Sequence, residues 1–169
     1  MRIKRYFLVL VALIAFTLQS FAQEGTTGIQ FFQGTFNDAL VKAKQENKVL
    51  FVDFYAMWCV PCKKMAKTVF TQEEVGKFFN EHFVSIQLDA EKGDNVNIAK
   101  NYKVVAYPTV AFISPDGKAI SVNTGAMTKD ELLEAAKIAA GQSISFEALY
   151  EKYKADNNDL DVQQQLLLK

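Results

Sequence analysis

From Val49 to Tyr55 the chain reads VLFVDFY, apolar or aromatic at every position but Asp53, which is the pattern of a strand covered on both faces. FVSIQLD alternates apolar and polar positions and predicts a second strand ending at Asp89. YPTVAFI, ending at Ile113, predicts a third; SPDG then makes a turn, and Lys118 to Thr124 return as its antiparallel partner. IQFFQ, near the start of the patterned region, is read as a short first strand. Between these runs the period changes to helical. Thr35 with Asp38 is a capping pattern for a helix to about Glu46, and Thr71 with Glu74 repeats it for a helix to about Asn80. KKMAKTVF places Met65, Val69 and Phe70 on one helical face with Cys62. A short helix is expected over 95–102, and Thr128 with Glu131 caps a last one to Ala140, closed by Gly141. The order β-α-β-α-α-β-α-β-β-α predicts an α/β sandwich around a mixed sheet.

The two ends of the chain follow other patterns. MRIKRYFLVLVALIAFTLQSFAQ has a basic head, an apolar run from Tyr6 to Leu18, and Ser20-Phe21-Ala22 as a small-x-small cleavage site, which predicts a secretory signal peptide over 1–22. As a helix the apolar run would span only about 20 Å, short of a hydrocarbon core of roughly 30 Å. The mature domain is then 23–141 and works outside the cytoplasm, periplasmic or otherwise, with no membrane anchor. Residues 142–169 predict a helical extension, with Phe146, Leu149, Tyr150 and Tyr153 as its apolar stripe.

Composition narrows the partners. A chain of 169 residues, half of them apolar, can bury one good core and no second one. Its 19 basic side chains equal its 19 acidic ones, but removing Arg2, Lys4 and Arg5 leaves 16 against 19. Both arginines go with that stretch, so the domain offers no guanidinium fork for phosphate, and nucleic acid is not an expected partner.

The chemistry concentrates in FYAMWCVPCKK, which holds both cysteines and the single tryptophan. A Cys59–Cys62 bridge closes too short a loop to brace a fold, about 2 kcal/mol by chain entropy. A closed zinc site wants four ligands, and the chain offers two thiols, one imidazole at His82, and carboxylates. A redox pair between a strand and a helix fits better. Pro61 suits the first turn of that helix, and with Cys59 at the N-cap the backbone N–H of Cys62 points at its sulfur, so the thiolate of Cys59 is stabilised. Asp53, flanked by Val52 and Phe54, is read as a buried carboxyl with a raised pKa rather than a strand-end group in solvent. Trp58 is read as a partly exposed lid rather than core filling. His82 is assigned no role, and Lys63, Lys64 and Lys67 are read as a solvated face.

VDFYAMWCVPCKKM, followed some way on by YPT, resembles the thioredoxin superfamily through most of residues 30–140. The resemblance implies a thioredoxin-like three-layer sandwich with a mixed central sheet. It implies that Asp53 is the buried acid beneath the disulfide, that Pro108 is cis and faces the cysteines, and that Tyr107 offers its backbone to an extended substrate peptide. Trp58, Val60 and Pro61 complete the implied substrate surface. Val60 stands where thioredoxin itself has glycine, Met57 where a polar residue is common, and Ser85 where thioredoxin carries a lysine near the buried acid. With the break at Thr71, these features look more like exported thioredoxin-like proteins such as the C-terminal domain of the periplasmic thiol:disulfide interchange protein.

The implied activity is an exported thiol:disulfide oxidoreductase that reduces disulfides in exported proteins, with Cys59, Cys62 and Asp53 as its chemical groups. It needs no cofactor and no metal. Its implied partners are disulfide-containing exported proteins and a membrane or soluble electron donor. The alternative is a binding or chaperone-like module that holds cysteine-containing clients in the Trp58/Pro108 groove without turnover.

Overall fold

The computed structural model describes residues 27–141 and scattered positions between 150 and 168. The signal peptide expected over 1–22 lies outside the described residues, as does almost all of the tail expected over 142–169. In chain order the elements are α1 (Phe36–Glu46), β1 (Val49–Tyr55), α2 (Val60–Thr68), α3 (Glu73–His82), β2 (Phe83–Asp89), α4 (Asn95–Asn101), β3 (Thr109–Ile113), β4 (Ala119–Thr124) and α5 (Lys129–Ala139). No helix among the described residues is long and apolar enough to cross a membrane.

The sheet has the order β2-β1-β3-β4, with β1 and β2 parallel and β1–β3 and β3–β4 antiparallel. Side chains alternate across it because successive residues of a strand point to opposite faces. Leu50, Val52 and Phe54 of β1 join Ile86, Leu88, Ala111 and Ile113 in one core, under α1 and α4. Phe51 joins Phe83, Val110 and Phe112 in the other, under α2, α3 and α5. This second core is built around aromatic rings in edge-on and tilted contact, Phe51 on Phe79 at 4.7 Å and Phe83 on Phe112 at 5.3 Å between centroids. The result is the expected three-layer sandwich.

Two of the expected local features take a different form. IQFFQ makes only an isolated bridge, Phe31 to Ser85, because its other backbone groups are spent elsewhere. The N–H of Ile29 donates to the Phe70 carbonyl at 2.8 Å and that of Gln30 to the Asn80 side chain at 2.8 Å, so no ladder can propagate. The segment is instead pressed against α3: Gly28 holds φ 101°, and a Cβ on Gly76 would come within 2.3 Å of the Gly28 carbonyl oxygen. The expected Thr71–Glu74 cap is absent as well. Helix α3 starts after Gln72 without a side-chain cap, and the Thr71 hydroxyl donates to the Lys67 carbonyl at 2.7 Å, closing the end of α2 rather than opening α3. The capping boxes at Thr35/Asp38 and Thr128/Glu131 are formed.

Candidate functional site

The site lies where β1 hands the chain to α2. Asp53, inside the strand, lies six positions before Cys59, which has extended backbone and occupies the N-cap of α2, with Pro61 in the first turn. The N–H of Cys62 donates to the Cys59 sulfur at 3.1 Å. Cys59 and Cys62 form a disulfide with their Cα atoms 5.3 Å apart. Both are buried, with Ala56, in a small cluster against which Tyr55 and Tyr107 pack.

Tyr107 reaches that cluster at the same end of the sheet, from the start of β3, where Thr109 pairs with Phe54, and is joined to Pro108 by a cis peptide bond. Pro108 is buried and its carbonyl accepts the N–H of Gly125 at 2.8 Å, which ties the loop to the end of β4. Trp58 stands over the same edge, 67% exposed, its ring edge-on to Tyr107 at 6.0 Å and its indole N–H donating to Glu91 at 2.9 Å. Met57 and Val60, which flank Trp58 and Cys59 in the chain, are also exposed, so apolar surface borders the disulfide. Burial, with the charges of Glu91 and Asp89 adding to it, pushes the Tyr107 phenol above its ordinary pKa.

Behind the disulfide, Asp53 is 3% exposed. Burial pushes its carboxyl up from 3.8 to about 6, against the opposing effect of the Gln87 amide, which donates to its Oδ2 at 2.9 Å. Asp53, Gln87, Lys63 and Cys62 line one cavity of about 220 Å³, closed by Tyr55, Ala56, Met57 and Ala66. Asp53 and Cys62, the second cysteine of the pair, therefore line the same space.

A match to the family model of the thioredoxin-like domain covers residues 36–140, most of the described chain. The chain belongs to the thioredoxin-like family. This thioredoxin-like chain is 34% identical over 80 residues to the thiol:disulfide interchange protein DsbD of Pseudomonas fluorescens, a match covering 47% of the chain and only 14% of that relative. Among solved structures it is similar to a candidate disulphide-isomerase of Bacteroides thetaiotaomicron, 41% identical with a TM-score of 0.62, over 70% of this chain and 98% of that one. The oxidised C-terminal domain of Neisseria meningitidis DsbD is 27% identical with a TM-score of 0.53, over 64% and 97%. The fold and its Cys59–Cys62 pair are those of thiol:disulfide oxidoreductases.

Cys59, Cys62, Trp58, Tyr107 and Asp53 are thus gathered at one end of the sheet, with Val60 and Pro61 on the first turn of α2 and Pro108 next to Tyr107. Ser85 is paired with Phe51, not with Asp53, and its buried hydroxyl has no hydrogen-bond partner among the described residues. The residue opposite Asp53 on β2 is Gln87. Gln87 and Glu91 are the polar neighbours that sequence reasoning did not single out. The alternation of FVSIQLD carried a signal for the first, since it puts Ser85, Gln87 and Asp89 on one face. Glu91 sits in a loop, where no period applies.

Proposed function

We propose that this protein is an exported thiol:disulfide oxidoreductase that reduces disulfides in exported proteins. The observation that carries the reading is the Cys59 sulfur at the N-cap of α2, accepting the Cys62 amide, with the Asp53 carboxyl in the cavity behind. The amide and the helix terminus favour negative charge on Cys59, which makes it the attacking thiolate. Its attack on a client disulfide forms the Cys59–client bond and expels one client sulfur as thiolate. Asp53 takes the proton of Cys62, whose thiolate attacks Cys59, closes the protein disulfide and expels the second client sulfur. Each expelled thiolate takes up a proton, so two electrons and two protons pass to the client. The Tyr107–Pro108 backbone and the surface of Trp58, Val60 and Pro61 bind the client chain. A membrane or soluble dithiol donor restores the pair.

Direction follows from what the site lacks between its cysteines. Val60-Pro61 puts no cation beside Cys59, so the reduced form gains only the helix terminus and one amide, and the disulfide is comparatively stable. Equilibration with glutathione, read as the mass shift of the alkylated pair, should give a potential near that of thioredoxin, about −270 mV, and far from about −120 mV for DsbA. A value above roughly −180 mV, the disulfide isomerase range, would make it an oxidant or isomerase.

The basic head, apolar run and Ser20-Phe21-Ala22 support export, with a mature domain over 23–141 and a helical extension over 142–169. Mass analysis of the extracytoplasmic protein should find Gln23 at its N-terminus; recovery with Met1 in place would overturn this.

A further inference from the structure

We infer that Gln87 is a positioning residue for the second half of the exchange: its amide holds the Asp53 carboxyl in orientation and in proton-accepting form for Cys62. The inference rests on the oxidoreductase reading above. Its basis is geometric. In the parallel pairing of β1 with β2, Gln87 is the Cα partner of Asp53, so the two side chains leave the sheet on the same face. The Gln87 Nε2 donates to Asp53 Oδ2 at 2.9 Å, and both line the cavity that Cys62 enters from α2. Gln87 is itself exposed, so a replacement there disturbs no core.

The other polar groups of the cavity do not replace it. Lys63, from α2, forms part of the wall, whereas the Gln87 amide hydrogen-bonds the Asp53 carboxyl directly and favours its ionised form. Tyr55, on β1 itself, and Asp89, at the end of β2, bring no positive charge to the carboxyl: burial first, then the negative charges of Asp89 and Asp53, pushes the Tyr55 phenol up. From β3 the residue opposite Asp53 is Val110, which carries no charge. When Cys62 is reduced, its own thiol is the remaining titratable group in the space. An amide is suited to the role because it donates to the carboxylate without a charge of its own, leaving the acid poised to take a proton and give it back.

The test uses two replacements with opposite consequences. Gln87→Leu removes the donor, so the carboxyl titrates higher and the pH midpoint for mixed-disulfide resolution should rise by about half a unit to one unit. Gln87→Lys supplies a cation, and the midpoint should fall by a similar amount. Client KM should stay within about twofold in both, because neither replaces any of the residues that hold the client chain, Trp58, Val60, Pro61, Tyr107 and Pro108. Carbon-13 titration of the Asp53 carboxyl in the oxidised proteins should show the same opposite shifts without turnover. Loss of packing alone would move both variants the same way. Shifts of one sign, no shift, or an Asp53 titration that moves while the resolution profile does not, in proteins that do exchange disulfides, overturns the inference. A wild-type protein no faster than its Cys59→Ser variant instead overturns the oxidoreductase reading.

Discussion

Cys59→Ser should abolish reduction of a disulfide-bonded client, lowering the rate by roughly three orders of magnitude or more, while Cys62→Ser should convert the protein into a trap. The asymmetry comes from α2. Only Cys59 sits at the N-cap with its sulfur facing the Cys62 amide, so only it has a backbone donor to stabilise the thiolate. Removing it removes the nucleophile. Removing Cys62 leaves the attack intact and deletes the group that resolves it, so a client adduct should accumulate and disappear on adding reductant. Intact-mass measurement of the two variants after mixing with client decides the matter. Adducts on Cys62 in the Cys59→Ser protein would reverse the two roles. Unchanged client affinity with both cysteines replaced, together with no exchange by the wild type, would favour the binding module.

Asp53→Asn should stabilise the oxidised protein by roughly 3 kcal/mol at pH 8 and by almost nothing below pH 3.8, while slowing resolution of the mixed disulfide. The carboxyl's pKa is raised from 3.8 to about 6 by burial, so between those values the folded state holds a proton that the unfolded chain has released. Stability from this group is complete below 3.8 and lost as the pH rises through about 6. A rise of that size, at about 1.4 kcal/mol per pH unit, gives the expected difference. Asparagine is nearly isosteric, cannot ionise and still offers an oxygen to the Gln87 amide, so the penalty disappears without a cavity. Asp38, Glu46, Asp116 and Glu131 are held below their usual range by local hydrogen bonds and slope the other way in acid, but equally in both proteins. Urea unfolding of the pair at the two pH values is the measurement; an equal difference at both would mean that Asp53 is not buried as a titrating acid.

Much of this architecture was legible because strong periods and short motifs coincide. The unbroken run around Asp53 could only be a central strand, and its one carboxylate had to enter the layer beneath α2 once Phe51 was assigned to that side. Thr35 and Thr128 cap their helices because each has an acid three residues on to complete the box. Thr71 has the same spacing to Glu74, yet its hydroxyl donates to the carbonyl of Lys67 and the N-cap of α3 falls one residue later, at Gln72. Spacing alone cannot say which residue becomes the N-cap. IQFFQ has the composition of a strand, but its ladder donors are taken by Phe70 and Asn80, forty or more residues away. The contacts of Gln87 with Asp53 and of Glu91 with Trp58 likewise depend on register and loop path, which become fixed only when the strands pair.

Trp58 is the chain's single tryptophan, and it stands beside Cys59, pinned by Glu91 and edge-on to Tyr107. All of the protein's indole fluorescence therefore originates at the disulfide. An adjacent disulfide accepts an electron from an excited indole, so emission brightens as the bond opens, and a client laid over the exposed ring changes its polarity and colour. The residue that borders the reacting sulfur is thus also an optical readout of whether the pair is open, closed or occupied, with no label attached and no second tryptophan to dilute the signal.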